Sequence, residues 1–230
     1  MTTTNAEEYV PPARGDVVTV ASERVGVTNG LLLKFPQIHG VGDLSLLERP
    51  RIAIVGARKA TQEGRRRAAQ LARDCVRAGV VVVSGLAEGI DYAAHTAAIE
   101  HGGARSRLLE RHWTRSIPRS TASSSVGSIT STSCFRRSPG ATSSCRRTFR
   151  NETGSWRAFA LATVIIEASD TSGSLHQAVE SAQVGHPVFI AAGMLEDPKL
   201  TWPKRFIGDD KPLGRVLRNT SDVIDFALAT

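Results

Sequence analysis

The sequence predicts an α/β fold: an open parallel sheet with flanking helices, interrupted by a Ser/Arg-rich segment. Three observations predict it. Short apolar runs at Ile52–Val55, Val80–Val83, Thr163–Ala168 and Pro187–Ala192 lack the alternation of a half-wet strand, as strands buried on both faces do. Stretches with three-to-four-residue apolar spacing stand between them. Glycines close those stretches at Gly79, at Gly102-Gly103 and at Gly185. The resulting β-α-β-α order implies right-handed crossovers.

Residues 1–20 are polar, contain Pro11-Pro12, and read as a disordered arm within an N-terminal region 1–39. Gln37–Val41 reads as a short strand or turn, and Leu44–Leu47 as a brief helical turn. From 40 onward the chain reads as one α/β domain to residue 230. Ile52–Val55 is a strand closed by Gly56. Thr61 is placed to cap a helix that buries Ala68, Leu71, Ala72, Cys75 and Val76 and runs to Ala78. Val80–Val83 is the second strand, and Ile90–His101 the second helix. Thr163–Ala168, Leu175–Val184 and Pro187–Ala192 repeat the strand–helix–strand grammar. Asp222–Leu228 is expected as a last helix, with Ser221 as a possible cap.

The composition excludes several classes. Hydrophobic residues are 41% and charged residues 22%, ordinary for a globular chain. No apolar run is long enough to cross a membrane as a helix, so no membrane role is expected. The N-terminus has no basic and apolar leader, so a reducing cytoplasm is the expected compartment. Three cysteines (Cys75, Cys134, Cys145) have neither disulfide arithmetic nor metal-ligand spacing, so no metal and no cofactor are expected.

The net charge of +7 belongs to one segment. Residues 105–150 hold ten Arg, no Lys and one acid, Glu110. Residues outside that segment are close to neutral, with a small acidic excess. Twelve Ser and six Thr accompany the arginines. A disordered basic linker has such a composition. So does a G+C-rich gene read one base out of frame. Arg, Ser, Thr, Pro, Ala, Gly, Cys and Trp carry G or C at the second codon base, and they fill 37 of these 46 positions. Roughly residues 104–157 are therefore expected to be translated out of frame, with the frame restored before Ala162. The segment 105–157 is expected to be poorly ordered.

Three loops at strand ends could carry chemistry. Gly56-Ala57-Arg58-Lys59 follows the first strand. Gly56 allows close backbone approach, the next helix N-terminus favours an anion, and Arg58 can fork onto a phosphate. The pattern is not the dinucleotide fingerprint. Ser84-Gly85-Leu86-Ala87-Glu88-Gly89 follows the second strand. Asp91 behind it either caps the helix or orients the loop, and His95 is a lone helical imidazole of the kind usually packed. Ser172-Gly173-Ser174 opens the helix after the Val164–Ala168 run. Glu167 is the one carboxylate at a strand end in apolar surroundings. It is a candidate general base, but is better explained as an acceptor that holds loops, because no nucleophile stands beside it. Together the loops form one phosphate-binding rim: Gly56, Ala57, Arg58, Lys59, Ser84, Gly85, Ala87, Gly89, Ser172, Gly173 and Ser174. No catalytic residue is assigned.

The runs Pro50–Thr61 (PRIAIVGARKAT) and Val82–His95 (VVSGLAEGIDYAAH), with Val164–Ala168 and Ser172–Leu175, resemble the DprA/Smf family of DNA-processing proteins. The resemblance covers roughly residues 40–104 and 160–207. It implies a Rossmann-like fold, a homodimer and single-stranded DNA as ligand. It also implies work with a RecA-type recombinase in natural transformation, and no established catalysis. By motif match, Gly56, Ala57 and Arg58 fall where the family's Gly-Ser-Arg motif meets DNA, with Ala57 in place of Ser. Two family features are missing from the residue types: an apolar strand after Gly102-Gly103, and an Arg-Asn-Arg stretch of which Arg150-Asn151 resembles a remnant. A nucleotide-binding or nucleotide-hydrolysing enzyme of the related phosphoribohydrolase-like fold is the competing expectation. Its P-G-G-x-G-T loop is replaced here by Ser169–Ser174. Non-specific polyanion binding by the arginine-rich segment is a third.

Overall fold

The computed structural model describes residues 46, 48–85, 87–102, 160–208, 210 and 213–230, together with the backbone of 18–21, 37–41, 105–108 and 132–136. Nine strands form one sheet: β1 (Val18–Ala21), β2 (Gln37–Val41), β3 (Arg51–Val55), β4 (Val81–Ser84), β5 (Arg105–Leu108), β6 (Thr132–Arg136), β7 (Ala162–Ile165), β8 (Val188–Ala191) and β9 (Gly214–Leu217). Their spatial order is β1-β2-β6-β5-β4-β3-β7-β8-β9. β3 to β9 pair in parallel, and β1–β2 and β2–β6 are antiparallel. The helices are α1 (Gln62–Arg77), α2 (Ile90–Glu100), α3 (Ser174–Gln183), α4 (Ala192–Glu196) and α5 (Thr220–Ala229), with a 3₁₀ turn at Trp202–Arg205.

The apolar runs are strands because both their faces are covered. β3, β4, β7 and β8 are buried at every position. Alternate residues feed two cores. Ile52, Ile54, Val82, Val164 and Phe189 pack with α1, α2 and α5 on one face. Val55, Ile165, Val188 and Ile190 pack with Leu175 and Ala178 of α3, Trp202 and Phe206 on the other. The chain runs outward from β3 through β4 and β5 to β6, then returns to β7 on the opposite side of β3. Strand order therefore reverses between β3 and β7, which is where open α/β sheets place their ligand crevice.

Four expectations need correction. Val18–Val20 does not belong to a featureless arm: its β-branched residues extend the sheet at the edge offered by β2. The strand thought missing after Gly102-Gly103 is present as β5, hydrogen-bonded between β4 and β6. The open edge of β4 supplies backbone partners regardless of side-chain type. A strand that carries Arg105 and Arg107 thus lies inside the sheet beside the wholly buried β4. Thr132–Arg136, also within the Ser/Arg-rich segment, forms β6. Finally, α5 starts earlier than expected. Its cap is Asn219, not Ser221, in a capping box whose Asp222 carboxylate accepts the Asn219 N–H at 2.9 Å. Residues 109–131 and 137–159, with Arg150-Asn151 and Cys145, lie outside the described residues, as do Leu44, Ser45, Leu47 and Leu86.

Among the described residues, no helix is long and apolar enough to cross a membrane, and no His/Cys/Asp/Glu group has the makings of a metal site. Cys75 is buried in the α1 core, and burial pushes its thiol up to about 12, so it is no nucleophile at neutral pH.

Candidate nucleic-acid interface

The three predicted loops meet at the carboxyl ends of β3, β4 and β7, and backbone contacts lock them together. The Ala57 N–H donates to the Glu167 carbonyl at 2.7 Å, which joins the first loop to the third. The Ile90 N–H donates to the Ala57 carbonyl at 3.2 Å, which joins the second to the first. Two glycines make this approach possible. A Cβ on Gly56 would stand 2.6 Å from Ile90 Cγ1 and 2.7 Å from the Glu167 carbonyl. Gly89 has φ +88°, and a Cβ there would overlap the Ala57 and Arg58 carbonyl oxygens.

Asp91 sits at the centre of this junction. It is buried on the first turn of α2, where the backbone amides of Gly56, Gly85 and Ala87 favour its charged form. Burial pushes its carboxyl up to about 7, against the opposing pull of these amides and of the Arg58 charge. Of the two roles weighed for Asp91, the loop-orienting one fits. His95 is a packed residue: its Nε2 donates to the Ser84 carbonyl at 3.0 Å, the carbonyl having no proton to give.

Arg58 and Lys59 are exposed at the rim, and Gly56 and Ala57 are half-buried beside them. Ala87 is half-buried. Ser84, Gly85 and Gly89 are buried, so they shape the rim from beneath. The Ser84 hydroxyl is used inside the sheet, donating to the Ile54 carbonyl at 2.6 Å. It bridges β4 to β3 and has no lone hydrogen to offer a ligand.

The amino end of α1 is likewise engaged. Thr61 caps the helix as expected, its Oγ1 accepting the Gly64 N–H at 2.9 Å. The Glu167 carboxylate then takes the Thr61 N–H at 3.0 Å and the Thr61 hydroxyl at 2.6 Å. The chain's own carboxylate thus fills the helix end where an external anion was expected, and Glu167 serves as a loop-holding acceptor.

The third loop is different. Ser172 Oγ accepts the Ser169 N–H at 2.8 Å and shapes the turn. Gly173 is exposed, with nothing within 4 Å of where a Cβ would be. Ser174 begins α3, is 8% exposed, and its Oγ has no partner among the described residues. A helix N-terminus, open space and an unused buried hydroxyl coincide there.

This loop is anchored by residues that sequence reasoning missed. Trp202 is fully buried and its Nε1–H donates to the Ala168 carbonyl at 2.9 Å. The Asp170 carboxylate accepts the Trp202 N–H at 2.8 Å and the Thr201 N–H and hydroxyl, both at 3.1 Å. Burial works to raise the Asp170 carboxyl, but those donors and the charge of Arg205 outweigh it and hold the carboxyl below its usual range. The same 3₁₀ turn carries exposed Lys204 and Arg205 to the third loop. The signal available was Trp202-Pro203-Lys204-Arg205-Phe206, a basic pair between two core aromatics.

Comparison with known proteins gives these elements a family. Residues 34–226 match the family described as DNA recombination-mediator protein A. The chain is 28% identical to the DNA processing protein DprA of Bacillus subtilis over 167 residues, 72% of this chain and 56% of that protein. It is 42% identical to DprA of Streptococcus pneumoniae over 62 residues, 27% of this chain and 22% of that protein. It thus spans about half the length of the Bacillus relative. Its fold is similar to that of DNA processing protein A from Helicobacter pylori, whose structure was described for its single-stranded DNA binding mode. That likeness has TM-score 0.72 and 20% identity over 93% of this chain and 96% of that one. A sheet that reverses between β3 and β7, a Gly-Ala-Arg turn locked to the start of α2, and a match over most of the sequence agree: the chain belongs to the DNA recombination-mediator protein A family.

Proposed function

We propose that this chain is a single-stranded DNA-binding protein that holds the strand by its phosphates along the carboxyl rim of the sheet. The observation that carries this reading is the exposure of Arg58 and Lys59 on a turn whose backbone is held by the Glu167 carbonyl and the Ile90 N–H. A cation on a fixed turn meets a phosphate without first being ordered. Ser172, Gly173 and Ser174 are the second contact, through amides and the unused Ser174 hydroxyl. Lys204 and Arg205 continue the positive track past the third loop. Aromatic residues are only 5% of the chain, and Trp202 is fully buried, so phosphate contacts outweigh base stacking.

The wider role is DNA processing during DNA uptake, natural transformation and recombination. In it the chain works as a cytoplasmic homodimer and passes the strand to a RecA-type recombinase. It is a binding protein rather than an enzyme. The one strand-end carboxylate considered as a base, Glu167, is committed to Thr61.

Fluorescence anisotropy of the full chain with labelled oligothymidylate, from about 50 to 400 mM salt, tests the reading. Four rim cations engaging four phosphates give a log–log slope near −3, at about −0.7 per contact. A control separates the rim from the Ser/Arg-rich segment. In it Arg111, Arg115, Arg119, Arg146 and Arg147 are changed together to Gln, leaving the β5 and β6 residues in place. Binding that survives this change supports the rim. Binding lost with it would assign the affinity to the segment.

A further inference from the structure

The rim has one open aromatic face that phosphate binding does not use. Tyr92 lies on the first turn of α2, at the position of that turn that meets solvent. Ile90 and Asp91 are buried and Ala93 packs half-buried against the core, while Tyr92 is 38% exposed. It is the one exposed aromatic among the described side chains. Trp202, Phe206 and Phe189 are buried in the two cores, and the Arg215 guanidinium covers the Phe226 ring at 5.0 Å. No hydrogen bond or ring contact engages Tyr92 among the described residues.

The start of α2 is fixed to the Arg58 turn. The Ile90 N–H donates to the Ala57 carbonyl at 3.2 Å, and Gly89 lies against the Ala57 and Arg58 carbonyls. Tyr92 follows Gly89 by three residues, less than one helical turn and about 4.5 Å along the axis. Helical side chains lean toward the amino end, which here is the end that touches Arg58. Charge sorts the two loops. The first exposes Arg58 and Lys59, and the second exposes Glu88. A phosphate is drawn to the first and repelled by the second, whereas a neutral base is not repelled.

We propose that Tyr92 is a base-stacking platform: a strand whose phosphate rests on Arg58 turns the adjoining base toward α2 and lays it on the Tyr92 ring. The role rests on the reading of Arg58 as a phosphate contact. Every base has a π-face, so such a stack adds affinity without choosing sequence. It does require a base, which the contacts of Arg58 and Lys59 do not. The rim thus tells a nucleic acid strand from a bare polyanion by one side chain.

The test uses the full chain and two strands of equal length and charge: oligothymidylate, and an abasic strand with the same sugar-phosphate backbone. Tyr92→Ala is expected to bind oligothymidylate about fivefold or more weakly. Its salt slope is expected to stay the same, because no phosphate contact is lost. The loss is expected to be absent on the abasic strand. Tyr92→Phe keeps the ring and is expected to recover most of the lost affinity. A second measurement needs no altered fold. The chain has two tyrosines, Tyr9 and Tyr92, so ring-labelled tyrosine gives two sets of resonances, told apart by Tyr92→Phe. The Tyr92 ring protons are expected to move upfield on oligothymidylate and to stay in place on the abasic strand. Ring resonances that do not move with oligothymidylate bound would overturn the inference. So would a Tyr92→Ala chain that loses nothing on oligothymidylate, or loses equally on both strands. Equal wild-type binding of the two strands, weakened in both by Arg58→Ala, would overturn the stack and leave the phosphate rim standing. A wild-type chain that binds neither strand would overturn the single-strand reading and the stack with it.

Discussion

Thr61 gives the Glu167 carboxylate both its backbone N–H, at 3.0 Å, and its hydroxyl, at 2.6 Å. One residue of the β7 side thereby closes the helix end of the β3 side, across the point where strand order reverses. A nucleotide-binding α/β protein would use that helix end for phosphate. Glu167→Gln keeps the shape and removes the charge. It is expected to lower stability by about 1 kcal/mol, the worth of a charged acceptor at a helix start. Urea denaturation at neutral pH measures it. A variant as stable as wild type would show that the bond has no energetic role.

Gly89 holds the second loop against the first. Gly89→Ala combines a left-handed backbone with overlap at the Ala57 and Arg58 carbonyls. Gly102→Ala serves as control: Gly102 has φ +71° and nothing within 4 Å of its missing Cβ. The control is expected to cost about 1 kcal/mol from the backbone alone. Gly89→Ala is expected to cost clearly more, roughly 2–4 kcal/mol, and to weaken strand binding as well. Equal losses at the two sites, by urea denaturation, would contradict the packing role.

The same features mark what the sequence made legible. Strands β3, β4, β7 and β8 were readable because continuous apolar runs bounded by glycine have few other uses. Thr61 was readable as a cap because its hydroxyl does what such residues do at helix starts. The loop cluster was readable because small residues at parallel strand ends have one common address. The direction of each side chain was not readable. Ser84 turns to Ile54, within the sheet, and nothing in its loop neighbours dictates that. Trp202 was missed because its partner, Ala168, is 34 residues away, beyond local pattern. β5 was missed because pairing to β4 runs through the backbone, while Arg-Ser-Arg-Leu carries no strand signal.

That last strand bears on the out-of-frame proposal. An interior parallel strand calls for apolar residues on both faces, and local identity here conflicts with position. Translating the coding DNA across residues 100–165 in all three frames is the check. The expected result is a shifted reading with an apolar strand at 105–108 and an Arg-Asn-Arg stretch before Ala162. A single open frame, the given one, would make the Ser/Arg-rich segment genuine.

Asp91 also ties stability to pH. Its carboxyl is raised from 3.8 to about 7, so the folded chain favours the protonated form. The stabilising contribution is then full below about 3.8 and is lost as pH rises through about 7. Asp91→Asn stays neutral throughout. Relative to wild type, the variant is expected to gain roughly 1–3 kcal/mol between pH 5 and pH 8. Thermal unfolding across that range measures it, and a constant difference would contradict the buried-acid account.

The central claim is that the rim, through Arg58, holds single-stranded DNA. The most direct measurement compares full-length wild type with Arg58→Ala on labelled oligothymidylate across a salt series, with the fold of each checked by circular dichroism. The account predicts binding weakened by roughly tenfold or more, with the salt slope shallower by about 0.7, one phosphate contact. Unchanged affinity and slope in a folded Arg58→Ala chain would contradict it.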